Sequence, residues 1–120
     1  LLSVNRQRIA VMDSTFVLLG CVVNGLLEGR VRYRDVSSAV TAALPQLWGF
    51  AGIDMIAGKH GLQVLEVNPR LTTSYVGLHE SLGFNPARLV LEMAGGGQIL
   101  PDGLMKGKAV DVNLGVAGAA

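Results

Sequence analysis

Two β-prone apolar runs, Phe50 to Ala57 and Leu62 to Val67, flank Gly58-Lys59-His60-Gly61, and no other stretch limits the fold as much. A turn with a glycine at each end between such runs predicts an antiparallel hairpin. Side chains alternate along a strand, so Asp54 shares a face with Gly52 and Ile56, and Glu66 shares one with Asn68. Folding about position 60 sets Asp54 opposite Glu66. Two carboxylates and an amide then converge on one patch of sheet.

That patch needs a partner. Carboxylates about 5 Å apart repel by roughly 3 kcal/mol at an effective dielectric of about 20. A proton, an arginine such as Arg70, or a divalent cation would each neutralise the pair. Asp, Glu and Asn side chains offer hard oxygen ligands, which magnesium prefers while it keeps several waters and bridges to phosphates. The structural alternative is a solvated strand face with scattered charges. Spacing alone leaves these options open.

The run Glu66-Val67-Asn68-Pro69-Arg70, with Asp54 twelve residues before Glu66 on an apolar strand, resembles the metal-binding end of an ATP-grasp ligase. The likeness extends into Leu71-Thr72-Thr73-Ser74-Tyr75 and upstream into Ser3-Val4-Asn5-Arg6-Gln7, covering residues 1 to 95. Within the superfamily it looks most like the ligases of methanofuran and related C1-carrier synthesis, such as tyramine–glutamate ligase. The resemblance implies an ATP- and magnesium-dependent carboxylate–amine ligase that works through an acyl phosphate. It implies that Asp54, Glu66 and Asn68 hold magnesium or manganese, and that Glu66, Asn68 and Arg70 face the nucleotide. Arg70 would act catalytically on the γ-phosphate or acyl phosphate, where its planar donors suit bidentate contact. Thr72, Thr73, Ser74 and Tyr75 would line the acceptor pocket.

The chain departs from that family in one respect. Lys59, Lys106 and Lys108 all fall in turns or tail, so no lysine stands in a β-run as a nucleotide-holding lysine would. The alternative reading is therefore a non-catalytic module for magnesium or nucleotide, or an inactive ATP-grasp remnant. The first residue is not methionine, and an apolar strand is expected to start there. Both features read as the C-terminal portion of a longer ATP-grasp domain, a fragment whose uncovered sheet edge favours a homo-oligomer.

Composition narrows the partners. Of 120 residues, half are hydrophobic and 16% charged, which supplies apolar surface for a core. A net charge of +1 argues against nucleic-acid binding or a polybasic membrane patch. No apolar run spans a bilayer and no basic segment precedes an apolar one at the start, so the expectation is a cytoplasmic protein acting on small-molecule carboxylates and amines. The single Cys21 lies in an apolar run and reads as a buried thiol.

In chain order, Leu1 to Val11 reads as extended, with Arg6 and Arg8 on a solvated face, or with Arg6 or Gln7 turned toward phosphates or acceptor. Asp13-Ser14 reads as a turn, Thr15 to Val23 as a buried strand, and Asn24-Gly25 as a second turn. The alternation of Leu27, Gly29, Val31 and Tyr33 predicts another strand over Leu26 to Tyr33. Asp35 then caps a helix through Val36, Ala39, Val40 and Ala43, which Pro45 ends near Leu44. Trp48 is expected as a packing anchor, and His60 as an exposed tip. Ser74 caps a helix from Tyr75 to Leu82 closed by Gly83. Asn85-Pro86 opens another that stops at Gly95-Gly96-Gly97. Residues 96 to 120 read as a glycine-rich loop, a final strand over Ala109 to Val116, and a tail. The sum is an α+β fold, a mostly antiparallel sheet with packed helices.

Overall fold

A computed structural model describes residues 1–97 and 106–115. In chain order it forms β1 (Arg6–Met12), β2 (Thr15–Val23), α1 (Arg30–Ala43), β3 (Gly52–Gly58), β4 (Gly61–Asn68), α2 (Tyr75–Leu82), α3 (Ala87–Ala94) and β5 (Val110–Asn113). The fold is α+β, and among the described residues every strand pairing is antiparallel. The strands divide into two sheets, one ordered β1-β2-β5 and the other the hairpin β3-β4.

Asp13 and Ser14 both adopt positive φ, 48° and 62°, so a two-residue turn sets Met12 opposite Thr15. Such a turn matches the right-handed twist of the strands it joins. β2 runs over the nine residues expected of it. Its inner residues Cys21 and Val23 meet Val110 and Val112 of β5 and Leu78 of α2 in the buried core. Phe50, Tyr75, Leu82 and Leu2 pack around this cluster. Cys21 is 2% exposed in this cluster, and burial pushes its thiol up from its ordinary range, with Arg8 opposing the shift.

Helix α2 lies close on this sheet because Gly77 has no side chain. A Cβ there would stand 2.9 Å from Cγ2 of both Val112 and Val23. A polar chain runs beside the same helix. Asn24, fully buried, donates from Nδ2 to Ser81 Oγ at 2.6 Å, and Ser81 Oγ donates to Lys108 O at 2.6 Å. Across the outer face, Arg8 reaches from β1 over β2 to β5. It donates to Asp111 Oδ2 at 2.7 Å and to Val112 O at 3.2 Å.

Several sequence expectations require correction. Leu26 to Tyr33 forms no strand: after a loop, α1 begins at Arg30 behind Gly29 in the left-handed region. Arg30 and Tyr33, three apart, are the buried residues of α1, a helical spacing hidden inside an alternating pattern. Asp35 sits within the helix and pairs with Arg34 instead of capping it. The first strand starts at Arg6, so no strand reaches residue 1. Trp48 is 59% exposed and anchors no core. Ser74 precedes α2 as expected but makes no side-chain cap bond. The helix boundaries at Leu44, Gly83 and Gly95 stand where the sequence put them. The final strand is shorter than expected, and the region from 98 to 105 and Val116 lie outside the described residues.

Two outcomes are expected. Gly77→Ala adds a methyl against two stiff valines, and overpacking of this kind costs about 1–3 kcal/mol against at most about 1 kcal/mol of gained helix propensity. Its urea midpoint should fall at unchanged slope. The hydrogen bond from Arg8 holds the Asp111 carboxyl below the usual carboxylate range. The stabilisation that Asp111 contributes is thus present above the pKa it has in the unfolded chain, and is lost as pH falls through its folded value. Asp111→Asn should flatten the acid side of a stability-versus-pH curve.

Candidate functional site

The site is built on the β3-β4 hairpin. Lys59 and His60 form its turn, with Gly58 opposite Gly61, and His60 is exposed. Near the tip Met55 pairs with Val64, and after a register shift Asp54 pairs with Glu66. Leu65 is the extra residue of this bulge. Bulges bend a strand and re-aim the side chains around them. Beyond it, Gly52 pairs with Asn68, so Gly52, Asp54, Glu66 and Asn68 occupy adjoining positions of one sheet face.

Asp54 is held from two sides. Gln7 of β1 donates from Nε2 to Oδ1 at 2.9 Å, and Asn68 donates from Nδ2 to Oδ2 at 3.3 Å. Asn68 is 7% exposed, and with its nitrogen bonded to Asp54 its Oδ1 remains as the side chain's acceptor. Glu66 is exposed, and its carboxylate has no hydrogen-bond or ion-pair partner among the described residues. No described arginine or lysine pairs with Asp54 or Glu66 either. Arg70 instead donates from Nη1 to Leu71 O at 3.2 Å. The donors that reach Asp54 are neutral amides, so no described cationic side chain offsets the pair. Among the described residues no group of three or more His, Cys, Asp and Glu gathers. Any cation held here would take the rest of its shell from water and a bound anion, which suits magnesium.

Pro69 ends β4, and the chain folds back over the strand end. The Arg70 amide donates to Asn68 O at 2.8 Å, and Tyr75 N donates to Thr72 O at 2.9 Å as α2 begins. A Cβ on Gly52 would stand 2.6 Å from the Thr72 methyl, so only glycine lets the loop sit down on β3. Thr72 Oγ1 and Ser74 Oγ lie 3.1 Å apart, and Thr73 and Ser74 are half-buried. Tyr75 meets Phe50 edge to face, ring centres 5.2 Å apart, and donates to Asn85 Oδ1 at 3.5 Å. The residues from Asp54 to Tyr75 singled out in the sequence thus fall at one end of the hairpin. Gln7, one of two residues weighed on β1, meets the carboxylate there.

Beside this end opens a cleft of about 420 Å³. Tyr75 and Arg70 line it; Thr72, Thr73 and Ser74 do not. Trp48, Phe50 and Leu91 also line it, and sequence reasoning assigned none of them to a site. One signal was present: Leu89, Val90 and Leu91 are consecutive, and one helix cannot turn three successive residues to a single core.

The sequence pattern of the ATP-grasp domain family matches residues 1–74. No curated protein and no solved structure matches the chain. The matched span includes both strands of the hairpin and the loop to Ser74, and Gln7 with them.

The seat of that loop is open to test. Gly52→Ala should displace Thr72 and cost about 1–3 kcal/mol by overpacking. The chemical shifts of the Thr72 methyl and the Asn68 side-chain amide should move together, while those of β5 stay in place.

Proposed function

Since the chain belongs to the ATP-grasp domain family, we propose that it carries the cation- and phosphate-facing residues of an ATP- and magnesium-dependent carboxylate–amine ligase. The observation that supports this reading most is Asp54 opposite Glu66, with Asn68 beside them and bonded to Asp54. The donors are all hard oxygens, as magnesium requires. When bound, magnesium neutralises phosphate charge and joins the nucleotide to the protein. Asp54, fixed by Gln7 and Asn68, keeps one carboxylate in place at the strand end. Glu66 adds the second charge, and Asn68 Oδ1 a neutral oxygen. Arg70, exposed at the corner, has donors left for the phosphoryl group in transfer.

In the proposed reaction a substrate carboxylate oxygen attacks the γ-phosphorus of ATP, and ADP leaves. The amine nitrogen then attacks the carbon of the acyl phosphate, inorganic phosphate departs, and the nitrogen gives up a proton to solvent. Catalysis of this kind is positioning and charge neutralisation. Synthesis of a methanofuran-like C1 carrier, in the cytoplasm, is the setting we propose for it. Self-association belongs to the same proposal, because β1 is an edge strand and Val11 and Phe16, paired across β1 and β2, are 67% and 81% exposed. Among the described residues no helix is long and apolar enough to cross a membrane.

One observation favours a binding module without turnover for this chain alone. Lys59 stands in the hairpin turn, and Lys108 pairs with Glu80 at 2.9 Å, so neither is placed in a strand to hold a nucleotide. Assay of ADP release with a panel of amino acids and amines separates the two readings. In the ligase reading, Glu66→Gln should lower magnesium-dependent ADP release by roughly 100-fold or more, since even outer-shell partners of a metal are worth roughly 10–100-fold. Its thermal midpoint should stay level or rise slightly, because one charge of a repelling pair is gone. Full turnover at saturating magnesium would reduce Glu66 to a strand residue.

A further inference from the structure

The cleft beside the carboxylate patch is an open, mostly apolar depression. Its walls come from the chain entering β3, the corner after β4, the start of α2, and α3. Trp48, Leu71 and Leu91 on those walls are 59%, 56% and 72% exposed, so apolar surface is left in water around a concavity. Such surface marks a ligand site more often than a bare face does. Two of its rings are fixed in place, Tyr75 edge-on to Phe50 and tied through its hydroxyl to Asn85. Arg70 is the one charged side chain among the described lining residues, and Asp54 and Glu66 do not line the cleft.

We infer that this cleft takes the body of the carboxylate substrate, and that this substrate is an aryl-substituted carboxylate whose acid group rests on Arg70. Three aromatic side chains, Trp48, Phe50 and Tyr75, favour a planar ring in edge-to-face or offset contact over a flexible alkyl chain. The lone guanidinium selects an anion over an ammonium, and its fork matches a carboxylate. Arg70 follows the end of β4, its amide bonded to Asn68 O at 2.8 Å, so the cleft adjoins the corner that carries Asn68. The identification of the ligand as a substrate rests on the ligase reading; its binding does not.

The chain has a single tryptophan, and it stands on the wall of this cleft. Trp48 emission therefore reads occupancy directly, without ATP. The probes are 3-phenylpropionate, hexanoate and 3-phenylpropylamine at constant ionic strength. 3-Phenylpropionate is expected to shift the emission to shorter wavelength and saturate. It should bind at least tenfold more tightly than the amine and several-fold more tightly than hexanoate. Arg70→Ala should weaken it at least tenfold with Arg70→Lys between, and Ala87→Phe, which fills the cleft, should abolish it with an unchanged circular dichroism spectrum. If Ala87→Phe fails to fold, the Arg70 series carries the same test. Equal affinity for the amine, equal affinity for hexanoate, or indifference to Arg70→Ala overturns the inference. So does emission already shifted and dilution-dependent in the free protein, which would mean that a second copy fills the cleft. Binding of magnesium–ATP is measured separately by calorimetry. Its absence with carboxylate binding intact fails the ligase reading alone, and the reverse result fails this inference alone.

Discussion

The seat of α2 on the three-stranded sheet is the contact on which the rest of this molecule depends. It exists because Gly77 lets the helix backbone approach Val23 and Val112, and those valines with Cys21, Val110 and Leu78 form the buried core cluster. Two contacts that shape the candidate site also start from this helix. Its first residue, Tyr75, meets Phe50 ahead of β3, and the loop that enters it sets Thr72 against Gly52. Farther along, Ser81 joins Asn24 at the end of β2 to Lys108 before β5. A core built on one sheet thus positions chemistry carried by the other.

The charges of β1 are sorted by strand alternation. Arg8 turns to one side and is consumed by Asp111 of β5, while Gln7 turns to the other and meets Asp54. The carboxylate therefore receives a neutral amide where an arginine, one residue away, would have cancelled it. Asn68 contributes in the same sense, giving Asp54 a weak neutral bond. The patch is oriented without being neutralised, which is the condition for a cation to be held there.

Much of this could be read from the sequence, though not always for the reason that held. Asp54 does face Glu66, yet the tip pairs Gly58 with Gly61, about a midpoint between Lys59 and His60. A regular ladder from that turn would set Asp54 against Leu65. The bulge at Leu65 restores the pairing, and nothing in an apolar run of Leu, Val and Gln announces a bulge. The stretch from Leu26 to Tyr33 was misread because alternation and helical spacing coexist there, and Gly29 in the left-handed region decides for the helix. Trp48 was misread because size suggests burial, whereas a large ring at the wall of a concavity stays wet. The end of β4 at Asn68 was legible, since the proline that follows marks a chain that stops pairing. The cleft was not, because its walls come from four separate segments.

The division into two sheets has a consequence for how the protein breathes. The β3-β4 hairpin shares no strand pairing with β1, β2 or β5, and is moored by the Gln7–Asp54 bond, the Phe50–Tyr75 contact and the fit of Thr72 over Gly52. Elements held by few ties open locally at a fraction of the global unfolding free energy. The hairpin is then a unit able to loosen without the three-stranded sheet, and one of its moorings runs through a carboxylate of the candidate site itself. A cation or nucleotide bound at Asp54 and Glu66 would act as a fastener, tightening the hairpin in proportion to the logarithm of ligand concentration over Kd. Occupancy and rigidity would rise together, so the emptied site and the loosened hairpin are two descriptions of the same state.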